Sequence, residues 1–385
     1  MSDLIYLDNA STSHPKPESV YRWMEEVVRL SANPGRGGHR MALSLDRLVF
    51  ETRESVAELF GVPDSSRIVF TANATMAINF ALFGLLLSGD RVVTSSMEHN
   101  AVTRPLRVLE DRGVEVVKVQ ADLLGYVDPE AVRIACLEKP TRLLLLNHCS
   151  NVTGTVQPLE ELGHWCRQQN ILFMVDGSQS AGSFPLNLED LAIDLFAAPG
   201  HKGLLGPQGT GLLYLREGLQ LTPLLYGGTG GKSHSDLAPE QLPERLESGT
   251  LNTPGLAGLN AAVKFILNTG QAKICLREQQ LVRRLLDGLT SLSGVEVYGP
   301  IDAERHGAAV SFNLVGRDPS EVGFHLDHDF GISARVGLHC APDAHRTIGT
   351  FPQGTVRVSP TYLTSEDDID GLLAALDKML SNRPA

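Results

Sequence analysis

The sequence predicts an α/β fold: a large domain on a mostly parallel, seven-stranded sheet covered by helices, plus a small α+β domain. Three observations carry that prediction. Apolar runs of strand length alternate with amphipathic helical stretches over the first part of the chain. Those runs are apolar almost continuously, as strands buried on both faces are. Beyond the long helical stretch at 271–292 the pattern changes to short strands around fewer helices.

In chain order, RIVFTA (67–72), DRVVTSS (90–96), VEVVKVQ (114–120), TRLLLLNHCS (141–150), ILFMVDG (171–177) and DLFAAPG (194–200) read as strands. TMAINFALFGLLL, AVTRPLRVLEDRG, DPEAVRIACLEK and LEELGHWCRQQN read as the helices between them. GTGLLYLR (209–216) is a seventh strand, a candidate for the antiparallel direction. The polar stretch GGTGGKSHSDLAPEQLPE (227–244) reads as a loop. A helix from Pro254 to about Leu267 and the long one over 271–292 come next. VEVYGP, GAAVSFNLVG, ISARVGLH and TVRVSP then read as strands, with helices near PSEVGFHLDHDF and over SEDDIDGLLAALDKML. The expected organisation is an N-terminal segment (1–20) joining the small domain, a large domain (21–275) and a small C-terminal domain (276–385).

Composition narrows the function classes. The chain has 385 residues, 42% hydrophobic and 20% charged, enough to bury a large core. A net charge of −12 argues against a nucleic-acid binder and against an anionic membrane surface. MSDLIYLDNAS lacks the basic and apolar regions of a signal peptide, and INFALFGLLL (78–87) is too short to span a bilayer. Five cysteines, an odd number with no Cys-x-x-Cys pair, suggest neither a disulfide framework nor a metal site. A reducing cytoplasm fits.

LFAAPGHKGLLGPQGTG (195–211) sets Lys202 in a corner of small residues at the end of an apolar run. In open α/β sheets ligands bind beyond the carboxyl ends of strands, and several strands here end in polar groups. RIVF leads into Asn73, Ala74 and Thr75, which open a helix and suit a phosphate. The next strand ends lead to His99, to His148 and Asn151, and to Asp176 and Gln179. Pyridoxal phosphate would use all of them. A lysine amine takes its aldehyde, a carboxylate keeps its ring nitrogen protonated, an imidazole stacks on its ring and amides bond its phenolic oxygen. Singly, Asp176 reads as a turn former and His99 and Thr75 as helix-start residues, while Lys202 reads equally as a surface residue or as an amine held for chemistry. Co-occurrence at successive strand ends carries the functional reading.

VDGSQS (175–180), followed by DLFAAPGHKGLLGPQGTGLLY, resembles the signature of the class V aminotransferases, fold-type I pyridoxal-phosphate enzymes. The cysteine desulfurase and selenocysteine lyase branch is the most similar. The resemblance extends through YLDNASTS (6–13), MEHNA (97–101), HCSNVTGT (148–155), RLESGTLNTPG (245–255), ARVGLHCAP (334–342) and TVRVSP (355–360). It implies Lys202 as the Schiff-base lysine and the acid/base at Cα, Asp176 on the ring nitrogen, His99 stacked on the ring and Gln179 on the phenolic oxygen. It further implies Asn151 in contact with cofactor and substrate, Thr75 and His201 on the phosphate, and Thr250 reaching the phosphate of a partner subunit, hence a homodimer. Arg357, with Arg335, would bind the substrate carboxylate. Some positions depart from the pattern. Pro199 stands where relatives carry a phosphate-binding serine, and it offers neither hydroxyl nor N–H. Leu338 and Val336 replace a common histidine and threonine, and NPGRGGHR (33–40) blends features of both desulfurase groups.

The implied activity converts L-cysteine to L-alanine and places the sulfur on Cys340 as a persulfide, with a sulfur-acceptor protein beyond it. Cys340 precedes what reads as a short loop rich in turn formers, APDAHRTIGTFPQG, and has Arg335, His339 and Arg346 near in sequence. Positive charge raises a thiol's thiolate fraction, and attack on a substrate sulfur requires a mobile, exposed thiolate. Cys136, Cys166 and Cys275 read as packed residues, and Cys149 lies at a strand end near the cofactor. Alternatives stay open: a selenocysteine lyase, an aminotransferase or β-lyase in which Cys340 is incidental, and a non-catalytic scaffold, against which the presence of Lys202 and Asp176 counts.

Overall fold

In a computed structural model of the protein, the described residues are 4–30, 32–34, 38–229, 236–237 and 239–381. Residues 230–235 and 238 of the expected loop, and 35–37 of NPGRGGHR, lie outside them. The chain begins with β1 (Ile5–Tyr6), α1 (Glu18–Leu30) and α2 (Arg40–Leu59). It then alternates through β2 (Ile68–Thr71), α3 (Ala74–Leu85), β3 (Arg91–Ser95), α4 (Asn100–Glu110), β4 (Glu115–Val119), α5 (Pro129–Leu137), β5 (Leu143–Asn147), α6 (Leu159–Gln169), β6 (Leu172–Asp176), β7 (Leu195–Pro199) and β8 (Gly211–Leu215). These seven strands, β2 to β8, form one sheet in the order β2-β8-β7-β6-β5-β3-β4. β8 runs antiparallel to both neighbours, and the other pairs are parallel.

Successive side chains of the central strands enter opposite cores. Leu144, Leu146, Phe173, Val175 and Phe196 join one apolar cluster, and Leu143, Leu145, Met174, Leu195 and Ala197 the other. A strand covered on both faces has no polar side, so LLLL and LFMV read as unbroken apolar runs. Gly211 opens β8 where the strand passes the start of α3. A Cβ there would lie 2.7 Å from the carbonyl carbon of Asn73.

α7 (Thr253–Thr269) and α8 (Gln271–Ser291) follow. α8 changes core along its length. Ile274 packs under the large sheet, whereas Leu281, Val282, Leu285, Leu286 and Leu289 join a third cluster. The remainder is β9 (Val295–Tyr298), β10 (Val310–Leu314), α9 (Pro319–Phe330), β11 (Ile332–Ser333), β12 (Arg335–Gly337), α10 (Pro342–Thr347), β13 (Thr355–Val358) and α11 (Glu366–Ser381). β12-β13-β10-β9 make an antiparallel sheet. β1 pairs in parallel with β11, and Asp8 bridges Ser359 beyond β13. Two expectations are corrected here. ISARVGLH is two short strands on different partners, and the stretch after Cys340 contains α10, which Pro342 starts in the position proline suits best. Among the described residues no helix is long and apolar enough to cross a membrane.

A buried ion pair ties α2 to the edge of the large sheet. Arg53 donates to both carboxylate oxygens of Glu247, at 2.7 and 2.9 Å, and Glu247 also accepts the backbone N–H of Phe70 in β2. Both side chains are buried. Arg53→Ala strands the carboxylate without a cation, and a loss of ~3–5 kcal/mol is expected. Chemical denaturation checks this; a loss below ~1 kcal/mol, the size of a surface pair, would contradict it.

Candidate active site

The sheet reverses its order between β3 and β5, and ligands of open α/β sheets bind beyond the strand ends at such a point. A cavity of about 200 Å³ lies there. Register places its floor: Asn147 is opposite Asp176, and Asp176 is opposite Ala197. The cavity gathers Asn73, Ala74, Thr75, His99, Asn151, Asp176, Gln179, His201 and Lys202 from segments far apart in sequence. Pro199, Asn147, Ser178 and Cys149 line it too.

One end is built for an anion. The Asn73 side chain caps α3 by accepting the N–H of Met76 at 2.9 Å. The N–H groups of Ala74 and Thr75 stand outside the intrahelical ladder and suit a negatively charged group. His201 borders the cavity with a buried Nδ1 that has no partner. Its carbonyl is held by the N–H of Ser13 at 2.9 Å. Burial, then Lys202 and Lys16, push the His201 imidazole down to about 4.

Asp176 Oδ1 accepts the N–H of Ser178 at 2.9 Å and its hydroxyl at 2.5 Å, bonds that leave Oδ2 unused. Lys202 faces the same space. Burial lowers its amine to about 8, opposed by the Asp176 charge and helped by Arg357 and Arg335. His99 caps α4, its Nδ1 accepting the N–H of Ala101 at 3.0 Å. Burial and then Lys202 bring that imidazole down to about 4. The helix-start reading of His99 and its place in the cavity therefore both hold. Gln179 Nε2 donates to the Ala10 carbonyl at 3.0 Å, and Asn151 Nδ2 to the His339 carbonyl at 2.7 Å.

Two arginines adjoin the cavity. Arg357 is fully buried; Nη1 donates to the Asn151 carbonyl at 2.9 Å, Nη2 to Asp8 Oδ1 at 2.8 Å, and Nε has no partner. Arg335 Nη2 lies 3.2 Å from Cys340 Sγ. Cys340 is exposed, and its backbone is tied by hydrogen bonds. Its carbonyl accepts the N–H of Asn100 at 2.8 Å, and the neighbouring His339 carbonyl holds Asn151. Arg346, near Cys340 in sequence, turns instead to Asp343.

The model of the Aminotransferase class-V family matches residues 5–372. The chain belongs to that family. A curated relative from Methanothermobacter thermautotrophicus, named "Probable cysteine desulfurase", is 36% identical across 98% of this chain and 95% of its own. One from Haloferax volcanii, named "Cysteine desulfurase", is 31% identical across 97% and 89%. The apo structure of a cysteine desulfurase from Thermococcus onnurineus NA1 superposes with a TM-score of 0.91 at 32% identity, covering 99% of this chain and 96% of that one. The fold is that of the fold-type I enzymes, and the class-V family to which this chain belongs works with pyridoxal phosphate.

Not every expected residue enters the cavity. Thr250 is exposed and lines a separate cleft of about 210 Å³ with Thr71, Gly209 and Asn252. Sequence reasoning missed Asp8, Ser11 and Glu98. Glu98 is wholly buried and accepts the Ser95 hydroxyl at 2.6 Å and the N–H of Asn147 at 3.1 Å. Burial raises its carboxyl to about 8. All three sit inside motifs already singled out, so the motif was the only available signal.

Lys202 makes stability depend on pH in a stated direction. Its amine binds fewer protons folded than unfolded between about pH 8 and its ordinary 10.5. Stability from this group therefore rises with pH across that window and is lowest below it. In cofactor-free protein, the wild-type curve minus that of Lys202→Met should climb between those limits. A flat difference in denaturation midpoints would refute the buried amine.

Proposed function

We propose that the chain is a pyridoxal-phosphate-dependent cysteine desulfurase, converting L-cysteine to L-alanine and taking the sulfur onto Cys340 as a persulfide. One observation carries the reading. Of five free cysteines only Cys340 is exposed, and it stands 3.2 Å from a guanidinium, close enough to Lys202 to act on its charge. The names of the relatives support the same substrate.

The residues fit the cofactor. The start of α3 and the unpartnered His201 Nδ1 suit a phosphate, and the free oxygen of Asp176 suits a protonated ring nitrogen. Pro199 ends β7 at the cavity wall and adds no hydrogen bond, so Thr75, Ala74 and His201 would carry that end. Bound there, pyridoxal phosphate supplies an aldehyde for the substrate amine and a ring that draws electrons from Cα. His99, neutral near pH 7, would lie on the ring face, and Gln179 and Asn151 on its polar edge. Lys202, with an amine near 8, can both accept and return the Cα proton close to neutral pH. Arg357 Nε and Arg335 would hold the substrate carboxylate. The Cys340 thiolate forms a bond to the substrate Sγ as the Cβ–Sγ bond breaks. The bonding pair stays with Cβ, which takes a proton and completes alanine.

A homodimer is part of the proposal. Thr250 is exposed away from its own chain's cavity, as a residue serving a neighbour would be. Large apolar side chains stand out on α1 and α2, among them Trp23, Val28, Leu43 and Phe50, each 42–59% exposed. Apolar surface of that kind marks an interface.

Purified protein given L-cysteine should form alanine and carry a persulfide on Cys340. Cys340→Ser should lose sulfur transfer, by about two orders of magnitude or more, while the visible cofactor band remains. Lys202→Ala should lose the aldehyde linkage. Full turnover by Cys340→Ser would overturn the role of the thiol. Selenocysteine run alongside separates a lyase, which would keep high turnover in that variant. Light scattering reading a monomer would refute the dimer.

A further inference from the structure

Arg335 in β12 and Arg357 in β13 stand directly opposite each other across an antiparallel ladder. Like charges in that relation oppose strand pairing. Burial sharpens the conflict, because Arg357 has no exposed surface. Asp8 answers one guanidinium, at 2.8 Å from Arg357 Nη2. Among the described residues Arg335 makes no ion pair.

The remaining compensation comes from one hydroxyl. Ser11 Oγ accepts from Arg335 Nη1 at 3.0 Å and from Arg357 Nη2 at 3.0 Å, and donates to Asp8 Oδ1 at 2.8 Å. A hydroxyl has one proton to give and two lone pairs to receive with, and all three are used. The two guanidinium groups therefore cannot separate beyond two hydrogen-bond lengths. Arg335 bonds Ser11 through Nη1, which leaves Nη2 of the same planar group beside Cys340.

We propose that Ser11 is a positioning residue whose hydroxyl clips the two arginines together, fixing both the carboxylate-binding pair and the guanidinium beside the Cys340 thiol. The part concerning substrate rests on the desulfurase reading; the clip itself does not. Neutrality is essential to the device. Two guanidinium groups face one carboxylate, Asp8, and a neutral clip leaves one positive charge for a monocarboxylate substrate. An anionic residue at position 11 would occupy that charge. Alanine would release both guanidinium groups, and threonine would keep all three bonds.

Three variants of the cofactor-loaded enzyme test this: Ser11→Ala, Ser11→Thr and Ser11→Val. The last two have the same shape and differ only in the hydroxyl, so they decide the matter even if the alanine variant folds poorly. Loss of a hydrogen bond to charged groups is worth about tenfold, and KM for L-cysteine should rise by about that factor in Ser11→Ala and Ser11→Val, with a smaller change in kcat. Threonine should restore KM. The second readout needs no turnover: the rate of alkylation of Cys340 by iodoacetamide without substrate, at one fixed pH. With Arg335 released from its place beside the sulfur, that rate should change severalfold in the alanine and valine variants and not in the threonine variant. Unchanged KM and alkylation rate in Ser11→Val, or equal changes in the threonine and valine variants, would overturn the proposal. A wild-type enzyme that forms no alanine would sink the desulfurase reading alone, since the alkylation rates still report on the clip.

Discussion

The register of β5, β6 and β7 is the constraint from which the site follows. It sets Asn147 beside Asp176 and Asp176 beside Ala197, so three strand ends reach one level. A slip of one residue would turn Asp176 to the opposite face of the sheet. The slip is prevented by apolar burial, because it would also exchange the side chains of the two cores, and both are filled. Lys202 lies three residues beyond the end of β7, and Leu205 closes its turn by donating to the Lys202 carbonyl. The amine is thus placed by sheet packing, and its chemistry by the enclosure that results.

A second constraint is the N-terminal strap that crosses the strand ends. Asp8 and Ser11 hold arginines of the small sheet, Ala10 holds Gln179, and Ser13 holds the His201 carbonyl. Ser359 in turn holds the strap, with its hydroxyl on the N–H of Ala10 and its carbonyl on Asn9. Six residues thereby couple the Lys202 turn to the Arg335 and Arg357 pair. Within this enclosure burial moves several titratable groups in the direction of neutrality. It lowers Lys202, His99 and His201 and raises Glu98. Near pH 7 the imidazoles carry no charge, and Arg357, lowered only to about 10, keeps its own.

The parallel core was legible because strands covered on both faces leave an unbroken apolar signature. The antiparallel β8 was legible from its place after the Gly-rich turn. Strand order was not, since it depends on which strands pair across long separations. Among the site residues, those at strand ends could be read because each ends an apolar run in a polar side chain. Asp8, Ser11 and Glu98 could not. Asp8 and Ser11 act through contacts more than 320 residues away in sequence, and Glu98 differs from an ordinary helix-start acid only in being fully enclosed. The anchoring of the Cys340 segment was not legible for a similar reason, because the bonds from Asn100 and Asn151 that hold it are tertiary.

Two thiols near the cavity show how burial and charge divide their roles. Cys149 lines the cavity itself, but burial pushes its thiol up to about 12, and its sulfur points to the Gly154 carbonyl at 3.4 Å. It is a packed, protonated group. Cys340, by contrast, is exposed. It and His339 both take left-handed backbone conformations, with φ of 60° and 48°, which cost a non-glycine residue about 1–2 kcal/mol each. The carbonyls of these two residues accept from Asn100 and Asn151, and those bonds sustain the conformation. Its effect is to present the side chain to solvent beside Arg335. In the desulfurase reading, the thiol that would meet the substrate sulfur is therefore the one whose backbone and neighbouring guanidinium are both held by bonds from distant parts of the chain.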